Sequence, residues 1–312
     1  MVDSRRWHVP FGRVDVGFAL PAGVTGNEVS TRAAAPLPDP AAAAFAAIAR
    51  PVGSPSLREL AAGARSVCIA VTDATRACPD HLLVPPMLDE LAAAGVKDEA
   101  ITILVAVGAH RASTEGEKRE KLGEEIVSRY RVIDHDGTDD ANLVAVMDGP
   151  GGLPFRVNRH AVEADLLLST GLVEPHQYAG FSGGGKTVAI GCADEATIGY
   201  THGPAMLDRE GTRLAQLAGN PFQEAVREVS RRAGLRFAGN AVLDDHGRMV
   251  AVAYGAPAAV QDHLAEFARP LFTTPILRQV DIAVAGVGYP KDVNLYQASR
   301  AASYLQFAPT PV

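Results

Sequence analysis

The chain has 312 residues, of which 47% are hydrophobic and 21% are charged, and its formal net charge is −7 at pH 7. This composition supports a sizeable folded core and excludes a largely disordered chain, while the acidic balance excludes a general binder of nucleic-acid backbones, which needs a basic face. The three cysteines form no CxxC pair, so neither a disulfide framework nor a structural zinc site is predicted.

Apolar runs and helical patterns alternate from the N-terminus onward. Continuous apolar or alternating stretches predict strands, and periodic stretches that follow a polar or proline residue predict helices. Asp80 is predicted to cap the helix that it precedes. The predicted elements of the first part are a strand Arg13–Phe18, a helix within 36–55, a strand Ser66–Val71, a helix from Asp80 to about Ala94, and strands Ile101–Val107, Arg131–Ile133 and Ala164–Ser169.

The second part of the chain continues this alternation and then begins a new unit. The predicted elements are a helix Pro221–Arg232, strands Leu235–Leu243 and Met249–Tyr254, a helix Pro257–Phe267, a strand Val280–Ala285 and a helix near Asn294–Tyr304. The last strand, loop and helix cannot bury their own apolar faces. We therefore expect a cofactor-binding and catalytic domain at residues 1–275, and at residues 276–312 the incomplete start of a second, substrate-capping domain.

Apolar strands that alternate with helices indicate an α/β fold with a mostly parallel sheet and helices on both faces, followed by the start of a truncated second α/β domain. Ligands bind such sheets beyond the carboxyl ends of the strands. Three polar loops occupy that position in the sequence: Thr72–Asp80, Gly108–Ser113 and Gly171–Thr187. The sequence therefore predicts a site built from these loops.

The segment 171–203 carries most of the unusual chemistry, with a glycine run before Lys186 and two histidines, His176 and His202. Gly180–Thr187 matches the phosphate-loop pattern G-x-x-x-x-G-K-[ST]. A phosphate loop follows its strand directly and opens a helix, whereas about ten residues intervene here and a β-branched, poorly helical stretch follows Lys186. A phosphate-loop nucleotide-binding protein is therefore kept as an alternative.

Four motifs, taken in order, resemble those of the lactate racemase family. They are TDATR at 72–76, GAHR at 108–111, GLVEPHQYAGFSGGGKT with YTHGP at 171–187 and 200–204, and NLYQASR at 294–300. The resemblance runs from about residue 10 to the C-terminus. It implies a nickel-dependent isomerase that inverts C2 of a small 2-hydroxyacid, or a related epimerase of a sugar acid.

The resemblance also implies a cofactor, a nickel pincer nucleotide. This is a pyridinium-3,5-bisthiocarboxylic acid mononucleotide that carries nickel, tethered covalently to Lys186, with His202 as the protein ligand to the metal. His110 and His176 would be the acid–base residues. The remaining cofactor-binding residues implied are Asp73, Thr75, Arg76, Gly183, Gly184 and Gly185.

Substrate binding is assigned to Arg111, Tyr296, Gln297 and Arg300, the last three from the second domain. Arg300 stands where the family is expected to have lysine, and its planar fork favours a different substrate. The partners implied are the 2-hydroxyacid and the proteins that make the cofactor. A catalytically inactive, truncated homologue is the other alternative.

The residue types suit this chemistry independently of the resemblance. Histidine has a pKa near neutrality and serves as a base for a hydroxyl proton, and one imidazole completes a nickel centre with soft sulfur donors. The N-terminal stretch has no signal-peptide pattern, and no apolar run approaches the roughly 20 residues that span a bilayer. We expect a cytoplasmic protein with neither nucleic-acid nor membrane partners.

Overall fold

The computed structural model describes residues 6–30, 32–274, 280–289, 292, 294, 295, 298, 299, 301 and 305. The chain divides into two compact units, one of residues 33–269 and one that joins the residues up to 32 with those from 270 onward. The strands are β1 Arg6–Gly12, β2 Val14–Ala19, β3 Val67–Thr72, β4 Ile101–Ala106, β5 Arg131–Asp134, β6 Leu143–Asp148, β7 Pro154–Asn158, β8 Leu166–Leu172, β9 Pro175–His176, β10 Gly180–Phe181, β11 Leu235–Leu243, β12 Met249–Gly255 and β13 Val287–Gly288. The helices are α1 Pro40–Ile48, α2 Leu57–Leu60, α3 Asp80–Ala93, α4 Glu115–Leu122, α5 Glu124–Arg129, α6 Arg159–Val162, α7 Lys186–Ala189, α8 Glu195–Thr201, α9 Pro204–Leu207, α10 Pro221–Arg232 and α11 Pro257–Phe272.

The larger unit is built on a six-stranded sheet in the order β12-β11-β8-β3-β4-β5. All neighbouring strands run parallel except β12, which pairs antiparallel with β11 at the edge. The connections after β3 and after β8 lead to opposite sides of the sheet, and at such a switch point ligands bind beyond the carboxyl ends of the strands. The predicted mostly parallel α/β sheet is confirmed.

Both faces of the sheet are covered, because consecutive side chains of β3 enter different cores. Ile69 and Val71 pack with α1, α2 and α3, whereas Cys68 and Ala70 pack on the other face with α6, α7 and α10. All of β3 is buried. This burial on two sides explains the continuous apolar run from which the strand was predicted, and it confirms helices on both faces.

The smaller unit contains a three-stranded sheet in the order β13-β1-β2. The predicted strand Val280–Ala285 is wrong: the strand here is the short β13, which pairs in parallel with β1. Residues 280–285 make no strand pairing, and Ile282 and Val284 are 78% and 61% exposed. An apolar alternation predicts a strand only where a neighbouring strand is present to pair with it.

Two features near the domain limits differ from the expected organisation. The residues before 33 group with the C-terminal unit instead of with the sheet domain, and the division at 269/270 lies within α11. The predicted helix near 294–304 falls largely outside the described residues, although Leu295, Ala298 and Ser299 are helical. The assignment of residues 276–312 to a substrate-capping domain stays a prediction.

Two local predictions in the larger unit are also wrong. Asp80 is the first residue of α3 and does not cap it: the N-cap is Pro79, and no side chain caps the helix. The stretch after Lys186, expected to be poorly helical, forms the single turn α7 because Gly183 and Gly185 carbonyls accept its first N–H groups. In the described part of the chain, no helix combines the length and apolar character that a membrane crossing requires.

Candidate active site

A buried carboxylate joins the carboxyl ends of β3 and β8. Asp80, which is fully buried, accepts hydrogen bonds from the hydroxyls of Thr72, at 2.7 Å, and Thr170. Lys121 on α4 lies 3.1 Å from the same carboxylate. The charge of Asp80 is therefore paired and hydrogen-bonded, as a buried carboxylate requires. The motifs had assigned no role to Lys121 or Thr170.

Lys121 also fixes the loop that follows β3. Its Nζ donates to the carbonyl oxygens of Arg76 at 2.7 Å and Cys78 at 2.6 Å. An ammonium with three donors is thus used fully, on one carboxylate and two carbonyls. The loop that carries Asp73 is therefore held by one lysine, whose side chain is 12% exposed.

Asp73 and His110 meet across the loops that follow β3 and β4. Asp73 Oδ2 lies 2.7 Å from His110 Nδ1; the Asp73 side chain is 6% exposed and the His110 side chain 33%. Burial raises the pKa of Asp73, but the hydrogen bond and charge of His110, with Arg76 and Thr75, lower it by more, so the net pKa lies below its ordinary value. An ionised Asp73 accepts a hydrogen bond from Nδ1–H of His110 and so orients the His110 ring.

The other predicted residues of these loops surround Asp73 in different ways. The Thr75 hydroxyl donates to the Asp73 carboxylate at 2.9 Å, and Arg76 is half-buried beside it. Arg111 is exposed and makes two hydrogen bonds to Glu117, at 2.8 and 2.6 Å. These bonds, with the N–H of Thr114, hold the pKa of Glu117 at about 2. The guanidinium of Arg111 is therefore occupied by Glu117 of the helix α4 that follows its loop.

His176 lies in the short hairpin of β9 and β10, directly after β8. Its Nδ1 accepts the backbone N–H groups of Tyr178, at 3.2 Å, and Ala179, at 3.1 Å. The hairpin closes with Ser182, whose hydroxyl donates to the Leu172 carbonyl at 2.6 Å. Backbone groups therefore set the position of the His176 ring.

His202 follows α8 and its ring is anchored through Nδ1. That nitrogen lies 3.1 Å from the Ile198 carbonyl oxygen and 3.1 Å from the Thr201 hydroxyl. Because the carbonyl can only accept, Nδ1 carries the proton in the neutral ring and Nε2 carries the lone pair. A metal-binding histidine is commonly oriented in this way by a backbone carbonyl.

Four rings bring His176 and His202 into one aromatic cluster with Tyr178 and Phe222. The His202 ring stands edge-on to Phe222 at 5.1 Å, and the His176 ring lies 6.1 Å from the same Phe222. Tyr178 contacts both histidines, at 6.0 and 6.2 Å. Two of the predicted histidines are thus neighbours.

Lys186 begins α7 and is half-buried. Its neighbour Thr187 is buried and donates its hydroxyl to the Thr170 carbonyl of β8 at 2.7 Å. Gly180, the first residue of the phosphate-loop pattern, is part of β10 and is packed against the backbone of Gln216. A phosphate loop uses this hydroxyl and the N-terminus of the following helix to bind its ligand. Here the Thr187 hydroxyl is bonded to the sheet and the helix is a single turn, so the phosphate-loop alternative is disfavoured.

The glycines before Lys186 are buried against the protein. A Cβ at Gly183 would lie 2.6 Å from Val173, and one at Gly185 would lie 2.1 Å from the Ser230 hydroxyl. Gly183 and Gly184 have φ values of 80° and 60°. The Gly184 N–H donates to Asn240 at 2.7 Å. A tight turn and close packing therefore account for glycine at 183, 184 and 185, and their predicted contact with a cofactor is left untested.

The two sides of the site are tied through Gly191. The Gly108 N–H donates to the Gly191 carbonyl at 2.9 Å, and the Gly191 N–H donates to the Lys186 carbonyl at 3.3 Å. A Cβ at Gly108 would lie 3.7 Å from Ile198, whose carbonyl holds His202. The backbone segments that carry His110, Lys186 and His202 are therefore in contact.

Tyr296, Gln297 and Arg300 lie outside the described residues, so their position at the site stays a prediction. Across the described ranges, no group of three or more His, Cys, Asp or Glu side chains is placed to hold a metal ion. The predicted metal site requires only one protein ligand, His202.

The family described as "Lactate racemase N-terminal domain" matches residues 11–214. The chain belongs to the lactate racemase family. The matched range contains His110, His176, Lys186 and His202. The interpretation of the motifs is therefore confirmed at the level of the family.

Known members of the lactate racemase family are similar to this chain over most of its length. It is 37% identical to a lactate racemase of Lactiplantibacillus plantarum over 249 residues, which cover 80% of this chain and 58% of that relative. It is 31% identical to the lactate racemase of Thermoanaerobacterium thermosaccharolyticum over 252 residues, 81% of this chain and 59% of that relative. The chain spans somewhat over half the length of these relatives.

A solved lactate racemase has the same fold. The apoprotein structure from Thermoanaerobacterium thermosaccharolyticum superposes with a TM-score of 0.83 at 28% identity, covering 94% of this chain and 69% of that one. The crystal structure of a Thermotoga maritima protein matches with a TM-score of 0.61 at 23% identity, covering 74% of this chain and 63% of that one, and shows the fold alone.

Proposed function

We propose that this chain is a nickel-dependent racemase or epimerase that inverts C2 of a small 2-hydroxyacid. The observation that carries the proposal is the Asp73–His110 pair at 2.7 Å, placed in the predicted loops of a chain that belongs to the lactate racemase family. A histidine oriented by an ionised carboxylate is a suitable base for a hydroxyl proton. His110 and His176 are the proposed catalytic residues.

The residues present fit a nickel pincer nucleotide in two respects. His202 holds its proton at Nδ1 through Ile198, which leaves Nε2 as the single imidazole donor. Lys186, half-buried at the start of α7, would provide the amine for the covalent tether. Asp73, Thr75 and Arg76 would bind the cofactor. When bound, the group would supply a reversible acceptor for hydride.

The protein's own part in the reaction is proton transfer and orientation. Nε2 of His110 would take the C2 hydroxyl proton as C2 gives up its hydride to the bound acceptor, which leaves a planar 2-oxoacid. The inversion would be complete when C2 regains the hydride on its opposite face and His110 returns the proton to oxygen. Asp73 stays ionised and stabilises the imidazolium of His110.

The carboxylate of the substrate is the proposed ligand of Arg111, Tyr296, Gln297 and Arg300. Arg111 would have to leave Glu117 to take this role. The cofactor-making proteins are proposed partners. All three cysteines are buried free thiols, which supports the expected reducing, cytoplasmic compartment. An inactive homologue remains the alternative that activity measurements decide.

The test is co-production with a cofactor-making system, followed by intact-mass spectrometry, nickel analysis and a racemisation assay. We expect a mass adduct, bound nickel and inversion of a 2-hydroxyacid. Lys186→Ala should lose the adduct, whereas Lys97→Ala, at an exposed lysine, should keep it. Nickel without turnover would favour the inactive homologue, and an unchanged adduct in Lys186→Ala would rule out the tether.

A further inference from the structure

The amide of Asn220, which is fully buried, joins three segments of the larger unit: the β9–β10 hairpin, the loop before α10, and α10 itself. Its Oδ1 accepts the backbone N–H groups of Phe222, at 3.0 Å, and Gln223, at 3.2 Å, and so caps α10. Its Nδ2 donates to the carbonyl oxygens of Tyr178, at 2.7 Å, and Gln216, at 2.9 Å. One side chain therefore bonds all three segments.

The partners of this amide explain why the residue is asparagine. A carbonyl oxygen only accepts and a backbone N–H only donates, so the amide nitrogen faces Tyr178 and Gln216 and the amide oxygen faces the helix. Aspartate, serine and asparagine are comparable as helix caps, but an ionised aspartate has no donor and a serine hydroxyl has one, on a shorter side chain. What distinguishes asparagine here is the pair of carbonyls, and not the cap.

The segments that Asn220 joins carry rings of the candidate site. Tyr178 follows His176 by two residues in the hairpin, and the buried Phe222 is the second residue of α10. The Phe222 ring lies 6.1 Å from the ring of His176 and 5.1 Å from the ring of His202. The packing of both histidine rings against Phe222 thus depends on how the hairpin stands relative to α10, and Asn220 bonds these two elements directly.

The loop before α10 is bound to the same hairpin. The Ala215 N–H donates to the Gly180 carbonyl at 3.0 Å, and the Gln216 carbonyl lies 1.8 Å from where a Cβ of Gly180 would be. Ala215 has a φ of 57°, a left-handed conformation that is uncommon for a residue with a side chain. Such a conformation persists only where its surroundings fix it, and the bond from Asn220 to Gln216 is one of these constraints.

We propose that Asn220 is a positioning residue for the proposed reaction: its amide sets the hairpin against α10 and thereby holds the rings of His176 and His202 in place. This inference rests on the proposed function and adds a residue to its site. Asn220 acts through Tyr178 and Phe222 and not on the reacting atoms. Positioning of this kind matters because a misplacement of about 1 Å can lower turnover on the order of 10²-fold.

Two substitutions separate positioning from helix capping. Asn220→Asp and Asn220→Ser both keep an oxygen for the N–H groups of Phe222 and Gln223, so α10 should keep its cap. Asn220→Asp loses the donor to Tyr178 and Gln216 and turns a negative oxygen toward their carbonyls. Asn220→Ser is too short to reach both carbonyls and adds no charge. An effect that the two variants share is therefore due to the lost donor.

The matched control is Asp39→Ala, which removes a helix cap far from these rings. Asp39 caps α1 by accepting the Ala42 N–H at 2.9 Å. Helix α1 packs in the core on one face of the sheet, and α10 packs in the core on the other. Asp39→Ala should lower stability, as loss of a cap does, and leave the candidate site unchanged.

The first measurement uses the full chain without cofactor. Ring ¹H–¹³C NMR signals report the surroundings of each histidine, and those of His176 and His202 are identified by their loss in His176→Gln and His202→Gln. We expect both sets of signals to shift in Asn220→Asp and in Asn220→Ser, because the rings move relative to Phe222. In Asp39→Ala they should stay at their wild-type positions.

Two results of this measurement would overturn the proposal. One is that the signals of His176 and His202 keep their wild-type positions in both Asn220 variants. The other is that both variants fail to fold, by circular dichroism, while Asp39→Ala folds, since Asn220 would then serve the stability of the fold. Neither result depends on racemase activity.

The second measurement is the steady-state rate of the cofactor-loaded protein, divided by its bound nickel. We expect kcat of Asn220→Asp and Asn220→Ser to fall on the order of 10–10²-fold with little change in KM, because the reacting groups are misplaced while the proposed ligands of the substrate carboxylate are kept. Asp39→Ala should keep the wild-type kcat. A wild-type kcat in both Asn220 variants, or an equal loss in Asp39→Ala, would contradict the positioning role.

The two measurements separate the inference from the proposed function. If the loaded wild-type protein inverts no 2-hydroxyacid, the proposed function fails, while the NMR signals still decide whether Asn220 holds the two rings. If the wild type is active and the ring signals are unmoved in both Asn220 variants, only the inference fails.

Discussion

The two sides of the candidate site are held by different forces. On the charged side, formed by loops 73–80 and 108–113, Lys121 holds Asp80 and two carbonyls, and Lys118 holds Asp134, which accepts the N–H of Ser113. On the side of residues 175–185, which contain no charged side chain and are called the neutral side, backbone groups, packed glycines and aromatic rings set the geometry. The charged side should therefore respond to loss of charge, and the neutral side to added volume.

The largest expected effect is on turnover and comes from the charged side. His110→Ala should lower kcat of the loaded enzyme by on the order of 10²–10⁴-fold, because the group that accepts the hydroxyl proton is removed. His246→Ala, at a histidine whose side chain is 71% exposed, is the matched control and should be unchanged. Steady-state rates of both variants check this, and a near-native His110→Ala would assign the base elsewhere.

The next effect is on stability and tests the pairing of Lys121 with the buried Asp80. Lys121→Met should lower the free energy of unfolding by about 3–5 kcal/mol, because Asp80 is left as a buried charge without its partner. The side chains of Lys121 and Asp80 are 12% and 0% exposed. Lys118→Met is the control, since Asp134 is 14% exposed, and it should cost less. Urea denaturation measures both, and equal costs would contradict the central role given to Asp80.

On the neutral side, added side-chain volume should lower the stability of the fold. Gly180 has a φ of 76°, and a Cβ there would lie 1.8 Å from the Gln216 carbonyl, so the backbone would have to shift. Gly180→Ala should cost about 1–3 kcal/mol, as overpacking does. Gly199 in α8 has no atom within 4 Å of its Cβ position, and Gly199→Ala should be neutral or stabilising. Thermal unfolding of the two variants decides this, and similar melting temperatures would refute it.

The smallest expected effect is a pH dependence on the charged side. The folded pKa of Asp73 lies below its unfolded value, because His110, Arg76 and Thr75 outweigh the opposing effect of burial. Its contribution to stability is therefore full above the unfolded pKa of about 3.9 and is lost as pH falls through the lower folded pKa. The stability difference between wild type and Asp73→Asn should shrink below that pH in denaturant titrations. If the stability difference between the two proteins stayed constant with pH, the charge of Asp73 would not be the source of its contribution.

The sheet could be predicted from sequence because its strands carry their own signal. The apolar run of β3, buried on both faces, and α10, which begins after the cap Asn220, appear at or near their predicted bounds. The hairpin β6–β7 was not predicted: β6 is an apolar run, LVAVM, before Asp148, but only its Leu143 is buried. Local pattern is thus sufficient where burial is continuous.

The candidate site was predicted less completely than the sheet. Asp73 and His110 follow strands, and position in the chain was enough to bring them together. The role of Asp80 could not be predicted, since an Asp before a helix is usually a cap, whereas its partners Thr170 and Lys121 are distant in sequence. The position of the His176 ring depends on two backbone N–H groups whose directions no residue pattern encodes.

The pairing of β1 with β13 has a consequence for biosynthesis. Phe11 and Gly12 pair with Val287 and Gly288, which follow the whole of the larger unit in the sequence. During translation the β1–β2 hairpin is made before residues 33–269, and its third strand is made after them. The nascent chain must therefore carry an uncompleted sheet edge while the larger unit is synthesised, and exposed strand edges invite chaperone capture or aggregation.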